Sequence, residues 1–590
     1  ASEDASAFTA ENLEQFDAII FLNTTGNILN AAQQTAFEEF IQSGGGYVGI
    51  HAASDTEYDW PWYEGLVGAY FQNHPPGTSS ADIKVSDRVH PSTAGLPHSW
   101  TRTDEWYNFR MNPRGNVHVL ATVDETSYAG GSMGFDHPVT WCHEYDGGRA
   151  WYTALGHTSA SYAEPLFQEH VLGGIYYAVR EVTGPFEATV DDNFEVSIID
   201  NNPVSPIALA VLPDSRVLFL ERAGKVKLYE PATGALTTAA NFNVDANRED
   251  GLLGIVLDPD FRTNRFLYLF YSPAGGAPRQ YVSRFEFRDG EIDKSSEVIM
   301  MTIPVQRQDC CHSGGDLEFD TEGNLYISVG DNTNPFQSDG YTPIDERPGR
   351  QNFDAQGTSS NTQDLRGKIL RIKPMPDGTY TIPSDNLFSD PNEGLPEIYA
   401  MGVRNPFRMT VSPDGYLYFG DVGPDAQTDN GNRGPKGHDE FNRTQEAGHF
   451  GWPYCIANNL HYHDYNFASG QQSGPFNCAA PTNNSPNNTG ANTLPPAQGA
   501  WMWYNKDNSA LFPGLNGPGG RTAMAGAVYQ YNPDSTLEDK FPPYYQNSVF
   551  IYEWSRNWIR EIKLDNAGDI VAINPFLTSL SLNRPIDMDF

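Results

Sequence analysis

The chain is short of positive charge: 37 Lys and Arg stand against 75 Asp and Glu in 590 residues, a formal net charge of −38. Phosphate backbones are held by clustered Lys and Arg, so this balance argues against nucleic acid as a partner. Charge of either sign is modest at 19%, and the acidic excess reads as a solvated surface. Long apolar runs are missing too. No stretch approaches the roughly 18 residues of a membrane-crossing helix. Cysteine is scarce at five, and the spacing does not support a metal site.

What is present is turn chemistry and aromatic surface. There are 55 Gly, 42 Pro and 13% aromatics, the composition of a turn-rich β protein whose surface suits sugars. At this length two or more domains are expected. Cys455 and Cys478 bracket an Asn-, Tyr- and Gly-rich loop that a disulfide would restrain. The adjacent Cys310 and Cys311 either form a vicinal disulfide or remain free thiols. Residues 458–500, rich in Asn, Gly, Pro and Ser, read as a long insertion without regular structure.

The first third alternates strand and helix patterns. Residues 16–22 read as a buried parallel strand, and Ala31 to Gln42 as a helix stopped by Gly44-Gly45-Gly46. Tyr47-Val48-Gly49-Ile50 is the next strand and delivers His51 at its carboxyl end. Such alternation predicts an α/β domain with a parallel sheet and a site at the strand C-termini. Nine of the fourteen histidines fall before residue 171. His51, Asp55, His74, His137 and His157 are candidates for a sugar or metal site. The competing reading is that they satisfy loop backbone around tryptophans. Gly184-Pro185 and Asp191-Asp192 mark a linker over 181–195.

The remainder repeats one pattern. Leu317-Glu318-Phe319 and Leu325 to Val329 flank the turn Asp320-Thr321-Glu322-Gly323, a β-hairpin. His312 precedes its first strand and Asp331 follows its second, so pairing brings both to one sheet edge. An imidazole beside a carboxylate suits a general base; the bland alternative is a loop histidine and a turn aspartate. Leu212 to Phe219 and Val411 to Phe419 repeat the hairpin, with a longer-looped version from Leu257 to Leu269. Small antiparallel sheets recurring every few tens of residues predict a β-propeller.

Five ordered motifs carry a resemblance. They are His312 to Asp331, Gly251-Leu252-Leu253-Gly254 through Phe261, Leu365 to Arg371, Gly402-Val403-Arg404-Asn405-Pro406, and Asp439-Glu440-Phe441-Asn442. Together they resemble the soluble glucose/sorbosone dehydrogenase family, six-bladed propellers using pyrroloquinoline quinone and calcium. The resemblance implies that His312 takes a sugar hydroxyl proton with Asp331 beside it. Arg404 and Asn405 would contact the quinone, and the carbonyls of Gly423 and Pro424 would hold calcium. Arg556 would lie over the cofactor. The family's glutamine before Gly-Leu-Leu-Gly is replaced by Glu249 or Asp250, and its lysine near Tyr529-Gln530-Tyr531 is missing. Both changes make the surroundings of an anionic tricarboxylate more negative. The acidic loop Asp331 to Glu346 offers further oxygens for a second ion.

The histidine-rich part, with Gly49 to Thr56, Asn73-His74-Pro75, Trp141 to Tyr145 and Gly156-His157-Thr158, resembles the ThuA-like (trehalose-utilisation) family. That implies a flavodoxin-like, class I glutamine amidotransferase-like fold. Where an amidotransferase carries its nucleophilic cysteine, this chain has His51, so cysteine acyl transfer is not expected.

The expected organisation is a ThuA-like α/β domain over 1–180, a linker over 181–195 and a propeller over 196–590. The expected function is an extracytoplasmic (secreted, periplasmic or cell-surface) sugar oxidoreductase that passes electrons to an acceptor such as a cytochrome. The alternatives are a quinone-free, glycan-binding or structural part of a surface assembly, and a lyase or isomerase acting on oxidised sugars. A first sheet strand is not found at the start, and Asn583 to Phe590 reads as half a hairpin. The sequence is therefore expected to be an interior piece of a longer chain, unless residues 196–205 complete the last blade.

Overall fold

A computed structural model describes the chain except residues 1, 88–89, 98, 135, 182–195, 533–540, 542–544, 565–567 and 578–579. The expected linker therefore lies, from residue 182 on, outside the described residues. The chain forms two compact units, the first built chiefly on residues 1–196 and the second on 197–576.

The first unit is a seven-stranded sheet with helices. Its strands are β1 (Ala18–Leu22), β2 (Gly46–Ile50), β3 (Ser79–Val85), β4 (Ser99–Asp104), β5 (His118–Val123), β6 (Pro138–Tyr145) and β7 (Gly148–Thr153). Their order is β1-β2-β7-β6-β5-β3-β4. The expectation of a parallel sheet holds only for β1, β2 and β7. The other pairings are antiparallel, because β6 and β7, for example, are joined by the tight Asp146-Gly147 turn and not by a helical crossover. β1 is not buried as expected. It is an edge strand, with Ile20 and Leu22 exposed and Phe21 buried.

Helix α1 (Ala31–Gln42) follows the sequence closely. Asn30 and Gln33 form a capping box, and Gly44 (φ +102°) ends the helix. Phe37, Phe40 and Ile41 are its buried face. They pack with Phe21, Tyr47 and Tyr63 in an aromatic core.

The second unit is a β-propeller. Where six blades are expected, the described residues form five blade sheets, built on 206–241, 252–304, 317–401 with 448–449, 406–444 with 502–504, and 523–576. Two small hairpins at 455–461 and 463–475 stand partly where no regular structure is expected. Turns recur as read: Ser215, Gly323 and Gly415 all have positive φ. Asp320 caps its turn by accepting from the N–H groups of Glu322 and Asn324. Leucine, isoleucine and phenylalanine from neighbouring blades interdigitate, among them Leu218, Leu253, Phe270, Ile327 and Leu370. Asn583 to Phe590 is not a strand. Instead its carboxylates bind the inner strand of the first blade, Asp587 accepting from Leu209 N at 2.7 Å and Asp589 from Val211 N at 2.9 Å.

Candidate functional site

The hairpin of Leu317–Phe319 with Leu325–Val329 returns the chain so that Asn332 N donates to the His312 carbonyl at 3.2 Å. Gly330 permits this approach, since a Cβ there would lie 2.3 Å from that carbonyl oxygen. His312 Nδ1 lies 2.6 Å from Asp331 Oδ1. The same oxygen accepts Thr333 N–H at 2.9 Å, and Oδ2 accepts Trp452 Nε1–H at 2.9 Å. Three donors on one fully buried carboxylate leave it no freedom to rotate. It holds the imidazole with Nδ1–H inward, the tautomer that leaves the Nε2 lone pair free. The hydrogen bond of the His312 ring among the described residues is made through Nδ1.

Glu249 faces the same histidine, its Oε2 accepting His312 N–H at 2.5 Å. Beside it Cys310 and Cys311 form a vicinal disulfide, one of the two alternatives the sequence leaves open, and Cys455 pairs with Cys478. A cavity of about 70 Å³ opens here, lined by Glu249, Asp250, Arg248, Arg307 and the vicinal disulfide. Asp250 and Asp245 pair with Arg307 at 2.9 and 3.5 Å.

Arg404 and Asn405 sit at the start of the fourth blade, held from behind. Their N–H groups donate to Asp421 at 2.9 and 2.6 Å, and Asn405 Oδ1 accepts from Gly314 N at 3.1 Å. The Arg404 guanidinium binds the Val422 carbonyl through Nη1 at 2.8 Å. Its other N–H groups have no partner among the described residues. A cation with free donors, an amide and a base–acid pair suit a planar anionic quinone, so these residues fit that group, while the Glu249 carboxylate at the His312 backbone adds negative charge beside them. Burial pushes the Asp421 carboxyl up to about 7. Burial, then the nearby Asp421, pushes Glu440 up to about 8.

Other expected residues lie elsewhere in their chemistry. The Pro424 carbonyl accepts from Arg521 Nη2 at 2.7 Å, and Gly423 N donates to Asp439 at 3.2 Å. The Pro424 carbonyl thus faces a guanidinium, which does not suit it as a calcium ligand. Within the acidic loop, Asp345 is taken by Arg347 and Arg350, and Asp339 by Arg433. Arg556, expected over the cofactor, is engaged by backbone carbonyls. Its guanidinium donates to the carbonyls of Gly520, Leu515 and Asn505 at 3.0, 2.8 and 2.8 Å, clamping the connection 505–522 at three points.

In the first unit, His51 follows β2 with φ +51° and is buried. His51, His74 and His157 gather around one carboxylate, Glu105, which follows β4. His51 Nδ1 binds the Ala154 carbonyl at 2.7 Å, and burial lowers the His51 pKa. Two expected members are absent from this group. His137 is fully buried between Glu125 at 2.8 Å and the Tyr107 carbonyl at 2.7 Å. Asp55 accepts from the Tyr58 hydroxyl at 2.5 Å. Cys142 is buried inside β6 and its thiol is pushed up by burial, consistent with no acyl-transfer role.

Trp452, Asp421 and Glu105 touch the candidate-site residues and are absent from the sequence reading. Trp452 lies 121 residues from its partner, and no local pattern joins them. An acidic residue directly after a strand, in a histidine-rich region, was the available signal for Glu105.

Comparison with known proteins matches residues 1–178 to the family described as trehalose utilisation and 204–517 to glucose / sorbosone dehydrogenase. Aldose sugar dehydrogenase YliI of Escherichia coli (strain K12) is 29% identical over 266 residues, 44% of this chain and 61% of its own length. Quinoprotein glucose dehydrogenase B of Acinetobacter calcoaceticus is 26% identical over 283 residues, covering 45% and 54%. The chain thus spans about three-fifths or less of these curated relatives. A solved structure of the PQQ-bound form of an aldose sugar dehydrogenase from Streptomyces coelicolor is 19% identical, covering 65% of this chain and 84% of that one, with a TM-score of 0.41.

Proposed function

The chain belongs to the glucose/sorbosone dehydrogenase family, and from that premise we propose that its propeller oxidises a sugar hydroxyl or aldose. The observation that carries the reading is the His312–Asp331 pair at 2.6 Å, with Asp331 fixed by Trp452 and Thr333. His312 Nε2 takes the hydroxyl proton as the substrate carbon loses its hydride and becomes a carbonyl. Asp331 orients the ring and stabilises the imidazolium that results. Pyrroloquinoline quinone, when bound, supplies the two-electron hydride acceptor. Arg404 and Asn405 would hold it, and Asp421 keeps the backbone of both in place. Glu249 accepts the His312 backbone N–H and, with the vicinal disulfide, lines the neighbouring cavity.

In this reading the propeller completes six blades, the substrate is a carbohydrate and the electrons pass to an acceptor such as a cytochrome. An extracytoplasmic location fits two disulfides, which persist where thiols are not kept reduced. The test is the full chain reconstituted with pyrroloquinoline quinone, with and without calcium, against a panel of aldoses and an artificial acceptor. Turnover of at least one sugar, lost in His312→Ala by about 100-fold or more, is expected. No quinone uptake, with glycans still bound, would favour the second reading of a quinone-free glycan-binding propeller. The carboxylates of Asp245, Glu249, Asp250 and Asp309 beside the cavity are what support that alternative.

A further inference from the structure

The first unit contains three acceptor atoms whose contacts protein hydrogen bonds alone leave unresolved. His51 gives its Nδ1–H to the Ala154 carbonyl at 2.7 Å, so Nε2 carries a bare lone pair. That Nε2 lies 3.3 Å from Glu105 Oε2, which is also an acceptor, and 3.2 Å from His157 Nδ1. His157 Nδ1 is in turn 3.1 Å from Glu105 Oε2. One proton on His157 serves one of its two contacts. The His51–Glu105 contact still sets lone pair against lone pair in a buried setting, and a cation among the three atoms removes that conflict.

The dimensions agree with a metal. Zinc ligands stand about 2.0–2.1 Å from the ion, which places neighbouring ligands of a tetrahedron about 3.3–3.4 Å apart. The three edges here are 3.1, 3.2 and 3.3 Å. The surroundings also match what metal ligands need behind them. The Ala154 carbonyl fixes the His51 tautomer. Asp104 accepts from the N–H groups of His157 and Gly156 at 3.0 and 2.9 Å, and Arg102 braces Asp104 at 3.0 Å. The second oxygen of Glu105 lies 3.3 Å from His74 Nδ1, which also meets the Pro75 carbonyl at 2.8 Å. The Tyr107 ring lies 4.1 Å from the His51 ring. The His157 side chain is 41% exposed, which leaves an entry path and a side for a fourth ligand.

We propose that His51 Nε2, His157 Nδ1 and Glu105 Oε2 bind one divalent first-row transition ion of the zinc class, with a fourth position open to water or a ligand oxygen. Two imidazoles and a carboxylate with an open position are the donor set of a reactive zinc centre rather than a purely structural one. Glu249 with Cys310 and Cys311 is the other compact group of ligand atoms among the described residues, but its sulfurs are joined in a disulfide and offer no thiolate.

The experiment uses the full chain, stripped with chelator, without reductant, and titrated with zinc chloride against a chromophoric chelator. A parallel cobalt(II) titration reads the visible absorption of a low-coordinate site. One equivalent of zinc bound per chain is expected, with a cobalt spectrum. His157→Ala, at an exposed position that tolerates truncation, should weaken zinc binding beyond the 10–100-fold that losing an outer-shell partner typically costs. Glu105→Gln should do likewise, with circular dichroism confirming that both variants fold. Absence of tight zinc binding by the parent chain overturns the proposal, as does parent-like binding in folded His157→Ala. The readout does not depend on the propeller's activity.

Discussion

Replacing Asp331 by Asn changes one oxygen to an amide group and leaves the shape nearly unaltered, yet no orientation of that amide suits the site. Oδ1 receives His312 Nδ1–H and Thr333 N–H, and Oδ2 receives Trp452 Nε1–H. If the carbonyl keeps the Oδ1 position, the new NH₂ points at the Trp452 N–H, donor against donor. If the amide turns over, its NH₂ meets the Thr333 N–H and forces His312 to accept through Nδ1. The proton then moves to Nε2, and the lone pair that takes the sugar proton is gone. Either orientation strands a buried donor, at about 1–3 kcal/mol of stability. The second also removes the base, which costs about 100-fold to 10,000-fold in turnover. Chemical denaturation gives the first quantity, and reconstituted turnover under saturating sugar gives the second. Asp331→Asn with stability and turnover both within about threefold of the parent, on the scale where 1.4 kcal/mol is tenfold, would refute the orienting role.

Three further expectations follow from buried groups and crosslinks. Glu440 has its ordinary value of 4.5 raised to about 8 by burial, so its folded form keeps a proton that the unfolded chain has lost. Its contribution is therefore fully present below about pH 4.5 and lost as pH rises toward 8. Glu440→Gln should flatten the fall of the denaturation midpoint between pH 5 and 8, and an unchanged slope would contradict the assignment. Arg556→Ala should cost about 3 kcal/mol by stranding carbonyls, while quinone affinity per folded molecule stays unchanged; a selective loss of affinity would return Arg556 to the cofactor. Peptide mapping without reduction should find Cys455 joined to Cys478, and Cys455→Ser should cost about 3 kcal/mol, the worth of closing a loop of this order. Free thiols at both positions would contradict the pairing.

What was legible in the sequence was what is local. The His312–Asp331 pair spans 19 residues, and a single hairpin with a Gly323 turn brings it together. Helix α1 with its glycine stop and the repeated strand–turn–strand pattern are local in the same way. What failed depends on distant packing. The run from Phe16 to Leu22 is apolar enough for a sheet centre, yet sheet order leaves it at an edge with Ile20 and Leu22 exposed. Strands β6 and β7 are joined by a tight turn and β5 pairs back on β6 after a loop without a helical crossover, which makes most of a sheet expected to be parallel antiparallel instead. An arginine such as Arg556 looks the same in sequence whether it faces a cofactor or three carbonyls. The histidines were correctly seen as a concentration, but their sorting awaited Glu105, which lies 54 residues from His51. His137, although equally prominent in sequence, belongs to a separate buried pair with Glu125.

The most direct test of the oxidoreductase reading is anaerobic addition of sugar to the quinone-reconstituted chain, following the absorbance of the bound cofactor through one turnover. The account predicts rapid reduction in the parent chain. It predicts reduction slowed by about 100-fold or more in His312→Ala, at equal quinone stoichiometry. Equal reduction rates in the two proteins, or a chain that takes up no quinone, would contradict it.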